Sequence, residues 1–484
     1  MTPIAQGHFS GQPPALVTSA VRLVGNYGKW LATDQQPLLE GCVRFVLQSL
    51  MVAPCAEHAA VAFRALCVHA QKQLGRFETV QVLLSICEPA MRNAELSVDL
   101  RIALTEGLAR LVASLPTRDE QARQALSALM APPCTLLQAT LSQEHALREN
   151  AEAVATQITL IASSIRYCDR FRPEKHPVLP VMQAGCWELI MRVAGAYRGE
   201  ARVFQALCEL YSNLMSTLQT LLRPLLPQLL TSLAEAFTST PVVGCLTTFR
   251  DAIERYGSQP DEELASVLSA VMTTIIDSVC AWQRTTADPE AQPELLTAFW
   301  EMCHRCLVFQ PGLLLSLQCA PALFDAAIAC VRHQEFQHTR AVLTFICLFM
   351  CPTEAANEYR ETSAHCLQTS GAKLLKECLS GLASASPDNL VDYQVELIRV
   401  LIEACPTAVG TWLKQILSEP SGLSTGSVAP GSKAMQTFAA LVLQQPALPQ
   451  TEFQCVASDF SRICRGKLGP ESLDRYVQRG GSAG

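Results

Sequence analysis

The sequence has few charged and few aromatic residues, and it lacks alternating runs of Val, Ile and Thr as well as Asn-Gly and Asp-Gly turns. Such runs and turns mark strands and hairpins, so the pattern does not predict a β-sheet protein. Charged residues make up 17% of the 484-residue chain, and the formal net charge is -7. This balance argues against binding nucleic acid through phosphate contacts. A hydrophobic content of 49% argues against a disordered chain.

Long uninterrupted apolar runs are also missing. A long uncharged and largely apolar stretch, residues 306–324, contains two prolines, a glycine and two glutamines. A membrane-spanning helix instead needs ~20 predominantly apolar residues. Residues 1–13 are polar and carry no charged-then-apolar signal. We therefore expect a soluble protein with no membrane partner and with a flexible N-terminal segment over residues 1–13.

No motif of common enzyme chemistry occurs in the context that its chemistry needs. The sequence has no glycine-rich phosphate loop and no H-E-x-x-H metal motif. The pattern G-x-S-x-G occurs at residues 422–426 and 480–484, but both matches lie in Gly/Ser-rich segments without the strand-turn-helix pattern of a nucleophile elbow. Its nine histidines are scattered and form no convincing ligand pair at helical spacing. We therefore expect no enzyme activity, no catalytic residues, no cofactor and no metal.

The 21 cysteines are the one abundant reactive residue type. Most fall inside apolar stripes, where a free cysteine behaves as a small buried hydrophobe, so we expect reduced thiols rather than disulfides. Cys303 and Cys306 have the C-x-x-C spacing of metal and redox sites, but no second pair accompanies them. Both share a helix face with Trp300, which favours packing over metal binding. Cys347 and Cys351 receive the same interpretation.

Apolar residues recur at helical spacing through most of the chain. The clearest example is residues 200–241, which predicts two amphipathic helices joined by a turn, with Pro224 and Pro227 near the start of the second helix. Such a hairpin cannot bury both apolar stripes alone and needs similar neighbours. Turns recur at loose multiples of the ~40–47 residues of HEAT and armadillo repeats. The turn positions are Pro116, Pro241, Asp288, Gln334 and Ser386.

This spacing predicts an all-α, HEAT- or armadillo-like α-solenoid superhelix of about ten helical hairpins. The repeats are expected over residues 14–418, followed by a Gly/Ser/Pro-rich loop at 419–433 and a terminal helical hairpin at 434–468. Residues 469–484 are expected to form a flexible tail. A compact multi-helix bundle is the structural alternative.

Two charged segments are candidates for binding surfaces. Residues 166–180 interleave basic residues with Tyr167 and Phe171, a pattern seen at RNA contacts. Acidic residues dilute that charge, and a solvated loop without direct nucleic-acid binding is the favoured interpretation. The basic residues are Arg166, Arg170, Arg172 and Lys175.

The second segment is the acidic turn Asp261, Glu262 and Glu263, which opens a predicted helix. Carboxylates at a helix start are stabilised by the positive end of the helix dipole. A solvated helix start therefore explains the turn, and contact with a basic cargo protein is the functional alternative.

The order of segments resembles the C-terminal part of nuclear transport receptors of the importin-β superfamily, in the importin-13 and transportin-3 branch. The resemblance runs over nearly the whole chain as many weak, collinear matches and involves no strict motif. At the end of the chain it includes the triplet Cys464-Arg465-Gly466. The other matching segments are residues 20–50, 59–74, 220–241 and 459–477.

The resemblance implies a HEAT solenoid that carries cargo proteins through nuclear pores under control of the GTPase Ran, mainly into the nucleus. Cargo proteins, Ran and nuclear pore proteins are the implied partners, and shuttling between cytoplasm and nucleus is the implied localisation. In this family Ran binding depends on N-terminal repeats, which we expect the present chain to lack.

One departure from the family concerns cargo. The transportin-3 side of the branch holds phosphorylated Arg/Ser domains with an arginine-rich helix, and the matching residues 202–217 contain Arg202 as their one basic residue. Bidentate pairing with phosphate needs clustered arginines, so importin-13-type cargo is expected instead. A HEAT scaffold that assembles a multiprotein complex without Ran is the alternative function.

Overall fold

The computed structural model describes residues 1–9, 11–115, 119–142, 149–258, 261–285, 291–351, 354–418, 423, 428–429, 431–445 and 447–480. The chain divides into two compact units, Met1–Thr248 and Phe249–Gly484. Within the described ranges the regular elements are helices, and no strand occurs. The all-α prediction is confirmed.

The first unit consists of short and medium helices separated by tight turns. In chain order they are α1 Thr2–Ala5, α2 Pro14–Asn26, α3 Gly28–Thr33, α4 Gln36–Ser49, α5 Ala56–His69, α6 Gln71–Leu74, α7 Phe77–Arg92, α8 Val98–Ala113, α9 Asp119–Leu141, α10 Ala151–Ile165, α11 Val178–Val181, α12 Trp187–Ala196, α13 Ala201–Leu218 and α14 Leu226–Ser239. Helix α15, Val243–Tyr256, contains the boundary between the units.

These helices pack in two layers. Helices α2, α5, α8, α10 and α13 form the first layer, in which each helix contacts the next. Helices α7, α9, α12 and α14 follow one another in the same way in the second layer. Since contacts between the layers join chain neighbours such as α7 with α8 and α9 with α10, the unit is a stack of helical hairpins.

The second unit repeats this arrangement. Its helices are α16 Glu262–Thr285, α17 Pro293–Phe309, α18 Gly312–Leu315, α19 Ala320–Ala329, α20 Phe336–Met350, α21 Arg360–Ser380, α22 Val391–Ala404, α23 Pro406–Ser418, α24 Lys433–Val442, α25 Gln450–Cys464 and α26 Asp474–Gly480. One layer follows α17, α20, α22 and α25, and the other follows α16, α19, α21, α23 and α24. The HEAT-like solenoid class predicted from the sequence is confirmed.

The hairpin at residues 200–241 shows how the repeat is built. The predicted apolar stripes of α13 and α14 are buried, and the Tyr211 hydroxyl lies 3.2 Å from the Ser232 Oγ across the hairpin. A 3-10 segment, Gln219–Leu225, joins the helices and holds Pro224. Helix α14 therefore begins at Leu226, with Pro227 in its first turn, where a missing N–H is tolerated.

Helix α9 contains two adjacent prolines in its interior. Local preference alone predicts that Pro132 and Pro133 interrupt the helix, yet α9 continues through both prolines from Asp119 to Leu141. A proline inside a helix costs about 3 kcal/mol. Burial of Leu129, Met130 and Leu137 on the same helix offsets this cost by packing α9 against its neighbours.

Both chain ends contact neighbouring helices, and the flexible segments expected there stay predictions. In α1, Ile4 is buried, and α1 packs on α4. Near the other end, the Tyr476 hydroxyl donates to Asp459 Oδ2 at 2.8 Å and holds α26 on α25. Most of the predicted loop at 419–433 and the turn residues Pro116 and Asp288 lie outside the described residues.

Arg465 ties the end of α25 to a much earlier part of the second unit. Its Nε donates to the Leu382 carbonyl oxygen at 3.1 Å, and its Nη2 donates to the Gly381 carbonyl oxygen at 3.1 Å. Its Nη1 also pairs with Asp388 Oδ1 at 2.6 Å. The triplet that carried part of the family resemblance thus contains a structural residue.

Helix α16 is long and apolar enough to cross a membrane, as are α4 and α5 taken together across their bend of 118°. In α16 the apolar residues Leu264, Leu268 and Ile275 are buried within the second unit, and the helix carries Asp277 and Arg284. We therefore interpret α16 as a core helix.

Two glycines in the second unit provide a matched test of helix packing. A Cβ at Gly371 would lie 2.6 Å from the Trp412 ring, whereas a Cβ at Gly410 would meet nothing closer than the Leu443 Cδ1 at 3.8 Å. Gly371→Ala should destabilise the protein by about 1–3 kcal/mol through overpacking. Gly410→Ala should be neutral or stabilising, because alanine favours helix by about 1 kcal/mol. Urea unfolding midpoints measure both, and equal effects would contradict this packing.

Candidate partner-binding surface

The three predicted cargo-contact residues lie together at the start of α16. Asp261 Oδ1 accepts a hydrogen bond from the Leu264 backbone N–H at 2.9 Å, so Asp261 caps the helix. Glu262 and Glu263 follow in the first turn and are exposed. Asp261 thus has a structural role, while Glu262 and Glu263 present their charge to solvent.

A second candidate surface was not predicted from the sequence. Leu16, Leu23, Tyr27 and Trp30 are 46%, 42%, 51% and 37% exposed, and we call them the apolar stripe. Their offsets of 7, 11 and 14 residues place them on one face along α2 and α3. The rings of Tyr27 and Trp30 are in edge contact at 6.3 Å. Exposed apolar patches of this kind mark protein-interaction sites.

The apolar stripe was missed because a helical apolar periodicity was taken to mean burial. Val17, Val21 and Val24 of the same helix form the buried face and share that periodicity. The sequence does contain a signal for this surface. The apolar residues of α2 cover two adjoining sides of the helix, which is more than one packed face can bury.

Helix α13 does not provide an anion-binding surface. Arg202, its one basic residue, pairs through Nε with Glu152 Oε2 on α10 at 2.5 Å. Its charge is therefore balanced within the first unit. This agrees with the expectation that clustered arginines for phosphorylated partners are missing from this helix.

The basic and aromatic segment after α10 is packed rather than an open loop. Arg166 Nη1 lies 3.3 Å from Glu106 Oε1, and the Arg110 guanidinium covers the Tyr167 ring at 3.8 Å. Phe171 is buried. Since both aromatic rings are used internally, the segment lacks the exposed stacking surface of an RNA site. The basic residues Arg166, Arg170, Arg172 and Lys175 are exposed, which agrees with the favoured interpretation of a solvated segment between helices.

The paired cysteines of α17 lie in the core. Cys303 and Cys306 are fully buried beside Trp300, whose ring contacts Phe345 at 5.2 Å. Burial raises the pKa of both thiols, well above the ordinary value for Cys303. A fully buried, neutral thiol packs as a small hydrophobe, and the packing interpretation agrees with this position.

The second cysteine pair is only partly packed. Burial raises the pKa of Cys347 to about 12. Cys351 is exposed, because α20 ends at Met350 and its apolar face stops there. The packing interpretation of Cys351 is therefore wrong.

No protein-family model matches the chain. Among curated proteins, it is 22% identical to importin-13 of Homo sapiens over 309 residues, which are 62% of this chain and 30% of that protein. It is also 22% identical to transportin MOS14 of Arabidopsis thaliana over 414 residues, 84% of this chain and 42% of that protein. The chain spans less than half the length of these two relatives.

Solved structures give the same picture of the fold. Importin-13 in its cytosolic state is similar with a TM-score of 0.73 at 18% identity, covering 96% of this chain and 52% of that chain. A crystal structure of importin-β is similar with a TM-score of 0.54 at 11% identity, again over 96% and 52%. At these identities the structural likeness establishes the solenoid fold.

His176 provides a pH test of the packed segment after α10. Its ring is buried in edge contact with Phe171 at 6.0 Å, and its Nδ1 accepts from the Val178 backbone N–H at 3.4 Å. Burial lowers the pKa of His176 below its ordinary value of 6.5. Because the folded-state pKa is depressed, the stabilisation is present above pH 6.5 and is lost as pH falls below it.

We expect His176→Phe to reduce the loss of stability between pH 7.5 and pH 5.5, measured as the shift in urea midpoint. His8→Gln is the control, since His8 is exposed and should leave the pH dependence unchanged. An unaltered pH dependence in His176→Phe would contradict the assignment.

Proposed function

We propose that the chain is a karyopherin of the importin-β superfamily, either a nuclear transport receptor or its C-terminal cargo-binding portion, and that it works mainly in import. The observation that carries this proposal is collinearity, in sequence and fold, with importin-13. The proposed partners are cargo proteins, Ran and nuclear pore proteins, and the proposed localisation is cytoplasm and nucleus.

The stacked hairpins suit this role for a physical reason. Each hairpin contacts mainly its neighbours, so the described surface extends along the stack instead of closing around one pocket. A partner can therefore bind through many modest contacts. The two surfaces with chemistry suited to such contacts are the exposed carboxylates Glu262 and Glu263 in the second unit and the apolar stripe in the first.

A nuclear entry assay tests the proposed function. Fluorescently labelled chain is added to permeabilised cells beside an inert protein of equal mass. We expect the chain to bind at the nuclear envelope and enter nuclei, while the inert protein stays outside. Exclusion of both proteins, together with no binding to isolated pore proteins, would contradict a transport function.

Ran control is measured separately by pull-down with Ran loaded with GTP or GDP. We expect cargo release on addition of Ran-GTP in the receptor that contains Ran-binding repeats. Stable, stoichiometric partners that ignore Ran-GTP would instead favour a HEAT scaffold.

The acidic turn gives a sharper prediction about cargo. The double variant Glu262→Lys, Glu263→Lys should weaken binding of a Lys/Arg-rich peptide, because exposed charge pairs contribute about 0.2–1 kcal/mol each. The corresponding loss of affinity is about 2- to 30-fold for two sites, and it should shrink at high salt. Asp261 stays unchanged because it caps α16.

Glu294→Lys is the matched control, since Glu294 is an exposed acidic residue in the first turn of α17 in the same unit. Fluorescence anisotropy of the labelled peptide measures both variants. Equal weakening by Glu294→Lys would show a general charge effect and would refute a specific contact at α16.

A further inference from the structure

A cluster of three metal-binding side chains lies at the turn between α19 and α20. Cys330 follows the last residue of α19, His333 lies within the turn, and His338 is in the first turn of α20. One ligand atom from each residue lies within 4.8 Å of the other two. The sequence spacing is C-x2-H-x4-H, which crosses a helix end, a turn and a helix start.

The two imidazoles already have the separation of ligands that share one metal ion. Their Nδ1 atoms are 3.2 Å apart, and the ring planes are inclined by 49°. Tetrahedral zinc has Zn–N distances of about 2.0–2.1 Å and a Zn–S distance of about 2.3 Å, which set neighbouring ligand atoms roughly 3.3–3.6 Å apart. The thiol needs a movement of about 1 Å at most to meet this geometry.

The donor set also suits a zinc-class cation, which is bound in proteins by thiolate sulfur and imidazole nitrogen. Cys330 and His338 are buried, and His333 is half-buried.

Outer partners hold two of the three residues in place. The Gln283 Nε2 donates to the Cys330 Sγ at 3.7 Å, and the Glu335 Oε2 accepts from the His338 backbone N–H at 2.6 Å. The first bond contacts the ligand sulfur itself, whereas the second caps α20 and fixes the backbone that carries His338. The Glu335 carboxylate thus lies beside the cluster, but it bonds the His338 backbone and not a ring nitrogen.

The cluster has a route to solvent. Cys330 and His333 line a cavity of about 400 Å³ in the second unit, which Cys280 and Cys319 also line. His333 is half-buried, so an ion can reach the His333 ring from the cavity, whereas the His338 ring is buried and does not line the cavity.

We propose that Cys330, His333 and His338 bind one zinc-class divalent cation, with a water molecule in the fourth position. On binding, the Cys330 thiol releases its proton to solvent and its sulfur forms the metal–thiolate bond, while both imidazoles bind as neutral ligands. The bound ion joins the end of α19 to the start of α20 and so fixes a turn between two hairpins. This site is independent of the proposed transport function, which requires no metal.

Cobalt substitution tests the site in the full chain. Metal-free protein is titrated with Co²⁺, and the thiolate-to-cobalt charge-transfer band and the intensity of the visible bands are recorded. We expect one Co²⁺ per chain, a thiolate band, intense tetrahedral bands and displacement of cobalt by Zn²⁺. Zinc should also raise the melting temperature of the wild-type chain.

Three variants separate the outcomes. Cys330→Ser should abolish the thiolate band, and His333→Asn should weaken binding by at least 10–100-fold, the loss seen when even outer partners of metal ligands are removed. Cys319→Ser, which changes a cysteine lining the same cavity outside the cluster, should bind as the wild type does.

Circular dichroism of each metal-free variant verifies folding, and the half-buried His333 is chosen over the buried His338 for this reason. A wild-type chain that binds no stoichiometric Co²⁺ would show that the two histidines share only a hydrogen bond and would overturn the site. Retention of the thiolate band in Cys330→Ser would overturn it equally.

Discussion

Burial of two apolar stripes per hairpin is the constraint on which the structure depends. A lone hairpin leaves part of each stripe in water, and only a neighbour with the same pattern can cover it. Small residues set how closely these neighbours approach. A Cβ at Gly25 of α2 would lie 3.0 Å from the Ala62 Cα on α5, and one at Gly107 of α8 would lie 3.3 Å from the Arg64 Cα. Replacing either glycine would push successive first-layer helices apart.

Ion pairs also join neighbouring helices of the first layer. Glu106 on α8 accepts from Arg64 on α5 and from Arg166 just after α10, at 2.8 and 3.3 Å, so one carboxylate joins three successive first-layer elements. Both arginines are substantially exposed, while Glu106 is largely buried. Such a pair contributes more to the alignment of repeats than to net stability, since burying the carboxylate offsets much of the attraction.

The sequence predicted the helical class and the repeat, because apolar periodicity directly reports which face of a helix is buried. For example, the hairpin predicted over residues 200–241 forms as α13 and α14. The prediction failed where packing outweighs local preference, as at Pro132 and Pro133, whose cost is offset by neighbouring helices. A rule based only on the helix preference of proline takes no account of the packing between α9 and its neighbouring helices.

For the candidate surfaces, the sequence located the acidic turn but could not show which of its residues caps the helix and which are exposed to a partner. Only the structure shows that Asp261 caps α16 while Glu262 and Glu263 remain exposed. The Cys330, His333 and His338 cluster was missed because its spacing fits no single helix. Its members meet where the chain reverses direction, which a search for pairs at helical spacing does not sample. The hydrogen bonds of Arg465, which join distant parts of the second unit, affect the order of folding.

Most contacts here join neighbouring hairpins, so early hairpins can form while later ones are still being synthesised. The hydrogen bonds from Arg465 to the Gly381 and Leu382 carbonyls are an exception, because they join residues that lie 84 and 83 positions apart in the sequence. Until α25 emerges, the Leu382 carbonyl lacks its donors from Ser461 and Arg465, while the Gly381 carbonyl keeps the Ser386 backbone N–H at 3.2 Å. The last step of assembly in this unit is therefore the closure of a long loop. A chaperone bound near the ribosome would contact the C-terminal hairpin of this unit before that hairpin has folded.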